Sequence, residues 1–270
     1  MPKLTKTKKK GSFPRKISKK VSKNTQKKPH FNIVYCTPGR KLPDTFPYIL
    51  MDSEKAGYKC AHIKLDDYNP NIYLARTQYL GNNALDPDIH RPLFNNKCTY
   101  DRIIWIDDDN TPTFQHIFRL IKQDVDIVAG MYHMKCRDKF ATVENGDFSY
   151  YEKHGQFNFL TDKDVEVYRQ IAKRNGKETE KGAIVDGNGI NIKHYLMPVF
   201  YSGFGCMVIK QGVFEKIGYP YFAPEFFKLS NGVTDFCGED VSFCIKAKRA
   251  GYQPYVDTGV IFLHDKNYLV

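Results

Sequence analysis

Short apolar runs alternate with amphipathic segments along most of the chain, and this alternation constrains the fold more than any other feature. Residues 31–36 (FNIVYC) and 102–106 (RIIWI) are apolar runs of strand length. The segment after the second run has apolar residues at helical spacing, with Thr111 and Pro112 as its predicted N-cap and first-turn proline. Strands that alternate with helices predict an α/β fold whose mostly parallel sheet is covered on both faces.

The other elements are predicted in the same way. Further strands are expected at residues 59–65, 125–129, 199–210 and 253–263, and further helices at residues 43–56, 71–85 and 239–250, with a short helix ending at Gly218. Residues 137–197 interrupt the alternation because they are polar and rich in glycine. We expect an insertion there, with a small antiparallel piece and a mobile loop.

The basic charge of the chain is concentrated at its beginning. Residues 1–30 contain 12 of the 41 lysines and arginines and no acidic residue, so residues 31–270 hold 29 basic and 30 acidic residues. We therefore predict a disordered Lys-rich tail, residues 1–30, followed by a near-neutral folded region. That neutral region argues against binding of duplex nucleic acid through a broad basic face. The tail is compatible with contact to an anionic lipid surface, with nuclear import or with a nucleic-acid arm.

Cysteine usage and hydropathy indicate the compartment. The seven cysteines are odd in number and none has the C-x-x-C spacing, which argues against a disulfide framework or a structural zinc site and favours a reducing compartment. No segment resembles a signal peptide, and no apolar stretch approaches the ~20 residues that span a bilayer. We expect a cytoplasmic protein, in the host cytoplasm if it is viral, rather than a membrane-anchored enzyme of the Golgi lumen.

Three consecutive aspartates, Asp107, Asp108 and Asp109, follow directly on a predicted buried strand. Side chains alternate along an extended chain, so Asp107 and Asp109 should share a side while Asp108 points away. Carboxylates at the carboxyl end of a parallel strand suit Mg²⁺ or Mn²⁺ together with a phosphate-bearing ligand. Three crowded carboxylates repel one another unless a cation neutralises them, so we favour a metal site over a solvated turn that caps the next helix.

Four further charged or titratable residues are candidates. Glu239 and Asp240 open a predicted helix with a basic last turn, so they either complement the helix dipole or supply a carboxylate that takes a proton from a hydroxyl nucleophile. The dipole is expected to keep the pKa of Asp240 low. Arg76, on the helix after the second strand, could pair with a phosphate, although a solvated or ion-paired arginine is more common. His264, after the last strand, is by itself typical of a surface histidine.

Two glycine-containing segments complete the candidates. An interruption in the apolar run 199–210 indicates close approach by a ligand or another backbone, and it comprises Gly203, Phe204 and Gly205. A loop follows the first strand, where parallel sheets usually bind nucleotides, although it matches no phosphate-binding pattern. This loop comprises Thr37, Pro38, Gly39 and Arg40.

Taken in order, these motifs resemble those of glycosyltransferases with the GT-A fold. The resemblance runs over residues 31–267 and is poorest in the insertion. Three segments carry it: 100–135 is similar to the family's strand, DXD motif, helix and next strand, 200–222 to the segment behind the sugar and acceptor pocket, and 237–266 to the Glu-Asp helix, final strand and metal-binding histidine. The pattern is most similar to the compact enzymes of bacteria, phages and large DNA viruses. It implies a Rossmann-like GT-A sheet.

The resemblance also implies a role for each candidate. Contacts with the nucleotide would come from the loop after the first strand and from Arg76, Asp107 and Asp108. The divalent metal would be bound by Asp107, Asp109 and His264. The acceptor and sugar fall to Gly203, Phe204, Gly205 and Glu239, and the base of inverting members to Asp240. Aromatic residues that either stack on sugars or, more commonly, pack in the core are Tyr201, Phe204, Tyr219, Tyr221, Phe222 and Phe226.

We therefore expect a glycosyltransferase that requires Mn²⁺ or Mg²⁺. It would transfer a sugar from a nucleotide-diphosphate sugar to a hydroxyl group of a glycan or glycoprotein, with inversion and Asp240 as the base. A uridine-diphosphate donor is favoured by its frequency in the family. Two alternatives stay open: a nucleotidyltransferase on a related fold, which would release pyrophosphate, and a nucleic-acid-binding protein that acts through its basic tail.

Overall fold

A computed structural model describes residues 28–65, 69–81, 92–135, 138–175 and 184–265 of the chain. The predicted disordered tail, residues 1–30, lies outside these residues except for its last three. The strands are β1 (His30–Cys36), β2 (Cys60–Ile63), β3 (Thr99–Ile106), β4 (Ile127–Met131), β5 (Thr142–Val143), β6 (Leu196–Pro198), β7 (Tyr201–Ser202), β8 (Cys206–Lys210), β9 (Phe226–Lys228), β10 (Thr234–Phe236) and β11 (Pro254–Ile261). The helices are α1 (Phe46–Lys55), α2 (Ile72–Tyr79), α3 (Phe114–Gln123), α4 (Phe148–His154), α5 (Asp162–Asn175), α6 (Val213–Ile217) and α7 (Glu239–Arg249), with short 3₁₀ helices at Leu93–Asn96 and Ile192–Tyr195.

Seven strands form the central sheet in the order β2-β1-β3-β8-β4-β11-β6. Strands β1, β2, β3, β4 and β11 run in one direction, and β8 and β6 run in the other. The predicted α/β fold with a mostly parallel sheet is confirmed. Because β8 lies antiparallel between β3 and β4, its beginning lies at the sheet edge where β3 and β4 end.

The central strands are buried on both faces, as the continuous apolar runs predict. In β3, Ile103 and Trp105 belong to the core on one face of the sheet, and Ile104 and Ile106 belong to the core on the other. All four side chains have no exposed surface. Because β3 packs against a core on each face of the sheet, its end is held rigidly. The aspartates that follow therefore start from a fixed position.

Element boundaries differ from the predictions in several places. Helix α3 is capped by Thr113, whose Oγ1 accepts a hydrogen bond from the backbone of His116 at 3.4 Å, so Thr111 is not its N-cap. The backbone N–H of Thr111 instead donates to the Leu263 carbonyl at 3.0 Å. Helix α2 ends at Tyr79 and not at residue 85. Strand β1 already begins at His30, the last residue of the predicted tail.

The insertion, residues 137–197, contains more regular structure than its composition predicts. Strand β5 pairs antiparallel with β7, which confirms the small antiparallel piece. The structure adds helices α4 and α5, and residues 176–183 of the expected loop lie outside the described residues. Helix α5 buries few apolar side chains, among them Val165, so its hydrophobic stripe is weak. Its start was nevertheless signalled by Thr161 and Asp164, which exchange side-chain to backbone hydrogen bonds in both directions.

Within the described part of the chain, the helices lack the combined length and apolar character needed to cross a membrane. The six described cysteines are all free thiols.

Candidate active site

The candidate residues converge at the edge of the sheet where β3 and β11 end and where β8 and α7 begin. The backbone of Asp107 donates to the Gly205 carbonyl at 3.3 Å, which joins the segment after β3 to the segment before β8. The backbone of Asp265 donates to the Asp109 carbonyl at 2.6 Å, and Asn110 forms an isolated bridge with His264. These main-chain contacts bring together three parts of the chain, of which the segments around Asp109 and His264 are more than 150 positions apart in sequence.

Asp109 and His264 are in direct contact at this edge. Nε2 of His264 lies 2.9 Å from Oδ2 of Asp109, and Nδ1 lies 2.9 Å from the carbonyl oxygen of His133. A carbonyl oxygen only accepts, so Nδ1 carries a hydrogen. Nε2 then either carries a second hydrogen, which makes the ring a cation paired with Asp109, or presents its lone pair to the carboxylate, a contact that a metal ion would relieve. An imidazole N–H that donates to a carbonyl is the usual outer-shell support of a metal-binding histidine.

Asp109 and His264 are the residues at this edge that could act as metal ligands. No group of three or more histidine, cysteine, aspartate and glutamate side chains in the described residues is arranged to hold a metal ion by itself. Asp109 and His264 offer one oxygen and one nitrogen, and ions that bind phosphate-bearing substrates usually take their other ligands from phosphate oxygens and water. An imidazole next to a carboxylate favours Mn²⁺ over Mg²⁺, which takes oxygen ligands almost exclusively. The residues present therefore fit a Mn²⁺ ion shared with a bound diphosphate.

Arg76 is buried beneath the site and links two acidic residues. Its guanidinium lies 3.0 Å from each carboxylate oxygen of Asp107, and its Nε donates to Oε1 of Glu239 at 3.4 Å. The guanidinium also lies over the rings of Phe204 and Trp105, 4.6 and 5.5 Å from their centroids. Only 3% of the Arg76 side chain is exposed. The structure thus places Arg76 against carboxylates, and it places Asp107 against Arg76 rather than with the Asp109–His264 pair.

The glycines before β8 make room for a tyrosine. A Cβ atom on either Gly203 or Gly205 would collide with the ring of Tyr132. The group that closely approaches these glycines is therefore a side chain, whereas a ligand or another backbone was expected. The Tyr132 ring also packs edge-on against His264, with ring centroids 5.0 Å apart. Burial raises the pKa of Tyr132 well above its usual value, and the carboxylates of Asp107 and Asp240 raise it further. Tyr132 therefore lies within electrostatic reach of both acidic residues, and sequence reasoning missed it.

The two half-buried carboxyl groups at the base of the site, Asp107 and Asp240, have pKa values near neutrality. Burial raises the pKa of Asp107 to about 6, against the lowering effect of Arg76 and with further increases from Asp109 and Glu239. Burial also raises the pKa of Asp240 to about 7, and the charge of Glu239 raises it further. A hydrogen bond from the backbone of Val241 to Oδ1 of Asp240 acts in the opposite direction but is outweighed. The prediction of a low pKa for Asp240 was wrong, because removal from water outweighs the helix dipole.

Asp108 contacts the loop after β1 rather than its two neighbours. Its Oδ2 accepts a hydrogen bond from the backbone of Arg40 at 2.8 Å. Gly39 has a φ of 146°, and a Cβ atom there would overlap the Asp108 carboxyl group, so glycine is required for this approach. Pro38 is buried within the loop. As expected, Asp108 does not share the partners of Asp107 and Asp109, and its carboxylate contacts the loop that was predicted to bind the nucleotide.

A cavity of about 290 Å³ opens beside this loop and is lined on one side by Thr37 and Tyr79. The hydroxyl of Tyr79 donates to the Thr37 carbonyl at 2.7 Å, and Thr37 Oγ1 lies 2.8 Å from Nε2 of His62. Arg40, Lys41 and Lys64 also line it. A cavity with basic residues at the carboxyl end of a parallel sheet is suited to a phosphate-bearing nucleotide.

The sequence candidates thus form two adjacent groups. One group surrounds the acidic centre and contains Arg76, Asp107, Asp109, Glu239, Asp240 and His264. The other lines or supports the cavity and contains Thr37, Pro38, Gly39, Arg40 and Asp108. Asn110 was missed: it is 1% exposed, and its Nδ2 donates to Oδ1 of Asp109 at 2.8 Å. Its position directly after the three aspartates was the available signal.

Most of the aromatic candidates belong to the core. Tyr201, Phe204, Tyr221 and Phe222 are each at most 5% exposed, whereas Phe226 is 69% exposed.

Comparison with known proteins finds similarity among solved structures. No protein-family model and no curated protein matches the chain. Among solved structures, the crystal structure of A197 from STIV is similar to it with a TM-score of 0.43 and 15% sequence identity, over 88% of this chain and 96% of that chain. The function is therefore inferred from the site itself.

Proposed function

We propose that the chain is a metal-dependent glycosyltransferase of the GT-A type, which transfers a sugar from a nucleotide-diphosphate sugar to a hydroxyl group of a glycan or glycoprotein. The observation that carries this proposal is that the Asp109–His264 pair and the half-buried carboxyl of Asp240 lie around Tyr132 at one sheet edge, next to a basic cavity. The Asp109–His264 pair suits a metal-bound diphosphate, and Asp240 suits proton abstraction from an acceptor.

The donor would lie between the cavity and the Asp109–His264 pair. The nucleoside fits the cavity beside Thr37 and Tyr79, and its phosphates extend past Asp108 toward Asp109. A divalent ion held by Asp109 and His264 would neutralise charge that develops on the departing diphosphate. His264 is oriented for this by its hydrogen bond to the His133 carbonyl. A uridine-diphosphate sugar is our first choice of donor.

Asp240 would act as the base. Its pKa of about 7 makes it a stronger proton acceptor than an ordinary aspartate while leaving a large ionised fraction at neutral pH. Glu239 is held by Arg76 and so is fixed beside it for contact with the acceptor. The proton of the acceptor hydroxyl would pass to a carboxylate oxygen of Asp240 as that hydroxyl attacks the sugar, and the sugar–phosphate bond breaks on the opposite side.

The deciding experiment is a panel of nucleotide sugars tested with the full chain in the presence of Mn²⁺. We expect release of a nucleoside diphosphate from one of them, and loss of roughly 10²–10⁴-fold in kcat for Asp240→Asn. Asp52→Asn is the matched control because the Asp52 carboxylate pairs with the exposed Lys55 on α1, away from the cavity, and it should keep full activity. Release of pyrophosphate from nucleoside triphosphates and sugar phosphates would establish the nucleotidyltransferase alternative instead. Full turnover in excess chelator would refute the metal assignment.

A further inference from the structure

A two-stranded hairpin, β9 and β10, presents two exposed aromatic rings just before the Glu239–Asp240 helix. Phe226 and Phe236 form a direct cross-strand pair with ring centroids 6.1 Å apart, and they are 69% and 57% exposed. Two residues further along each strand, Lys228 pairs with Thr234. Because side chains alternate along a strand, these four residues share one face of the hairpin.

The opposite face fixes the hairpin to helix α4. The ring of Phe227 lies 5.5 Å from that of Tyr151, whose hydroxyl donates to Oδ2 of Asp235 at 2.7 Å. At the turn, the backbone of Ser230 donates to Oε1 of Glu152 at 2.6 Å. These contacts hold the hairpin in place, so the two exposed rings are already positioned. A ligand that binds them therefore causes little loss of conformational entropy in the protein.

The hairpin leads without interruption to the candidate base. Next to the aromatic pair, the backbone of Cys237 donates to the Glu225 carbonyl at 3.1 Å, and Gly238 then caps α7. Asp240 is four residues after Phe236, so their Cα atoms are at most about 14 Å apart. A molecule of more than one ring can lie on the hairpin and reach Asp240.

The size and chemistry of this face favour a carbohydrate over a protein. An aromatic side chain buries 150–250 Å², so the exposed parts of Phe226 and Phe236 amount to on the order of 200–300 Å². A stable protein interface needs about 800 Å² on each partner. The faces of sugar rings carry C–H groups that are attracted to the negative face of an aromatic ring, and Lys228 and Thr234 offer hydrogen-bond donors to sugar hydroxyls.

We propose that this hairpin is the acceptor platform and that the acceptor is an oligosaccharide. Its inner sugar rings stack on Phe226 and Phe236, and its terminal hydroxyl reaches Asp240. The inference rests on the proposed glycosyltransferase function. It adds a substrate class, because stacking on two rings at once with a further hydroxyl at Asp240 requires a chain of linked sugars.

The test is binding of the full chain to an array of defined oligosaccharides and their component monosaccharides. We expect the wild-type chain to retain oligosaccharides in preference to monosaccharides. The double variant Phe226→Ala/Phe236→Ala should bind them at least roughly tenfold more weakly, because it loses both stacking surfaces. Phe226→Leu/Phe236→Leu, which keeps apolar side chains without rings, should show the same loss. Tyr48→Ala is the matched control, since Tyr48 is 66% exposed on α1, and it should bind like the wild type.

The outcomes separate this inference from the proposed function. Platform-dependent binding of oligosaccharides by a chain that cleaves no nucleotide sugar would sustain the platform and refute the glycosyltransferase. The platform is refuted if the wild type cleaves a nucleotide sugar but retains no oligosaccharide, or if either double variant binds as tightly as the wild type. An equal loss in Tyr48→Ala would also refute it.

Discussion

Asp240→Asn is expected to make the protein more stable than the wild type at alkaline pH, although it lowers kcat. Burial raises the pKa of this carboxyl from 3.8 to about 7. The native state therefore holds a proton between these values that the unfolded state has released, so the free energy of unfolding falls as pH rises through this range. A rise of this size contributes about 4 kcal/mol to the free energy of unfolding. The contribution is fully present below pH 4 and is lost above pH 7.

An asparagine in this position keeps the shape of the side chain and cannot ionise. At pH 5 the variant should be more stable than the wild type by about 1–2 kcal/mol, because the unfolded aspartate is already ionised there, and at pH 8 this difference should grow to about 4 kcal/mol. Urea unfolding at both pH values, followed by circular dichroism, measures this difference. Asp44→Asn, at an exposed position, should change neither value.

The reasoning is refuted if Asp240→Asn gives the same change in stability at pH 5 and pH 8. That result would mean that Glu239, Asp107 and the burial of the site do not disfavour the Asp240 charge. A stabilising substitution of a catalytic group is the expected signature of a site that stores unfavourable charge for function.

Four further predictions follow from the same geometry. Arg76→Met should destabilise the chain by about 3–5 kcal/mol in urea unfolding because it leaves two buried carboxylates, whereas Arg102→Met, which removes an ion pair with an exposed aspartate, should cost less than about 1 kcal/mol. His264→Ala should weaken Mn²⁺-dependent donor binding measured by calorimetry, with the metal-free affinity unchanged. The kcat/KM should rise with pH to a plateau above about 7, since Asp240 must be ionised to act as a base, and a flat profile from pH 5 to 8 would contradict this. Deleting residues 1–27, which leaves β1 intact, should leave the steady-state constants unchanged.

The order and type of the main elements could be predicted from the sequence because the signals were local. The apolar run of β3 and the helical stripe of α3 each show their own period, and both elements are present. The direction of β8 could not be predicted in this way, because a short apolar run contains no information about which neighbours it pairs with. Helix α5 was missed since polar residues dominate it.

The candidate residues were predictable as a set, but their partners were not. Three adjacent aspartates suggested one shared site, yet Asp107 pairs with Arg76, Asp108 with the backbone of Arg40, and Asp109 with His264. These pairings depend on contacts across 31 to 155 residues of sequence, which local spacing does not encode. The same long-range burial changed the expected pKa of Asp240, because the effect of the helix dipole is local and the effect of desolvation is not.

The separate pairing of the three aspartates explains how one short segment can serve several purposes at once. Arg76 is buried between Trp105 and Glu239 at the start of α7, and it compensates the charge of Asp107 inside the protein. Asp109 lies at the end of the segment beside an imidazole whose orientation is set by a backbone carbonyl, an arrangement suited to an ion that arrives with the substrate. Between them, Asp108 shapes the loop at the cavity. If this division holds, substitution of Asp107 should mainly reduce stability, and substitution of Asp109 should mainly reduce the response of donor binding to Mn²⁺.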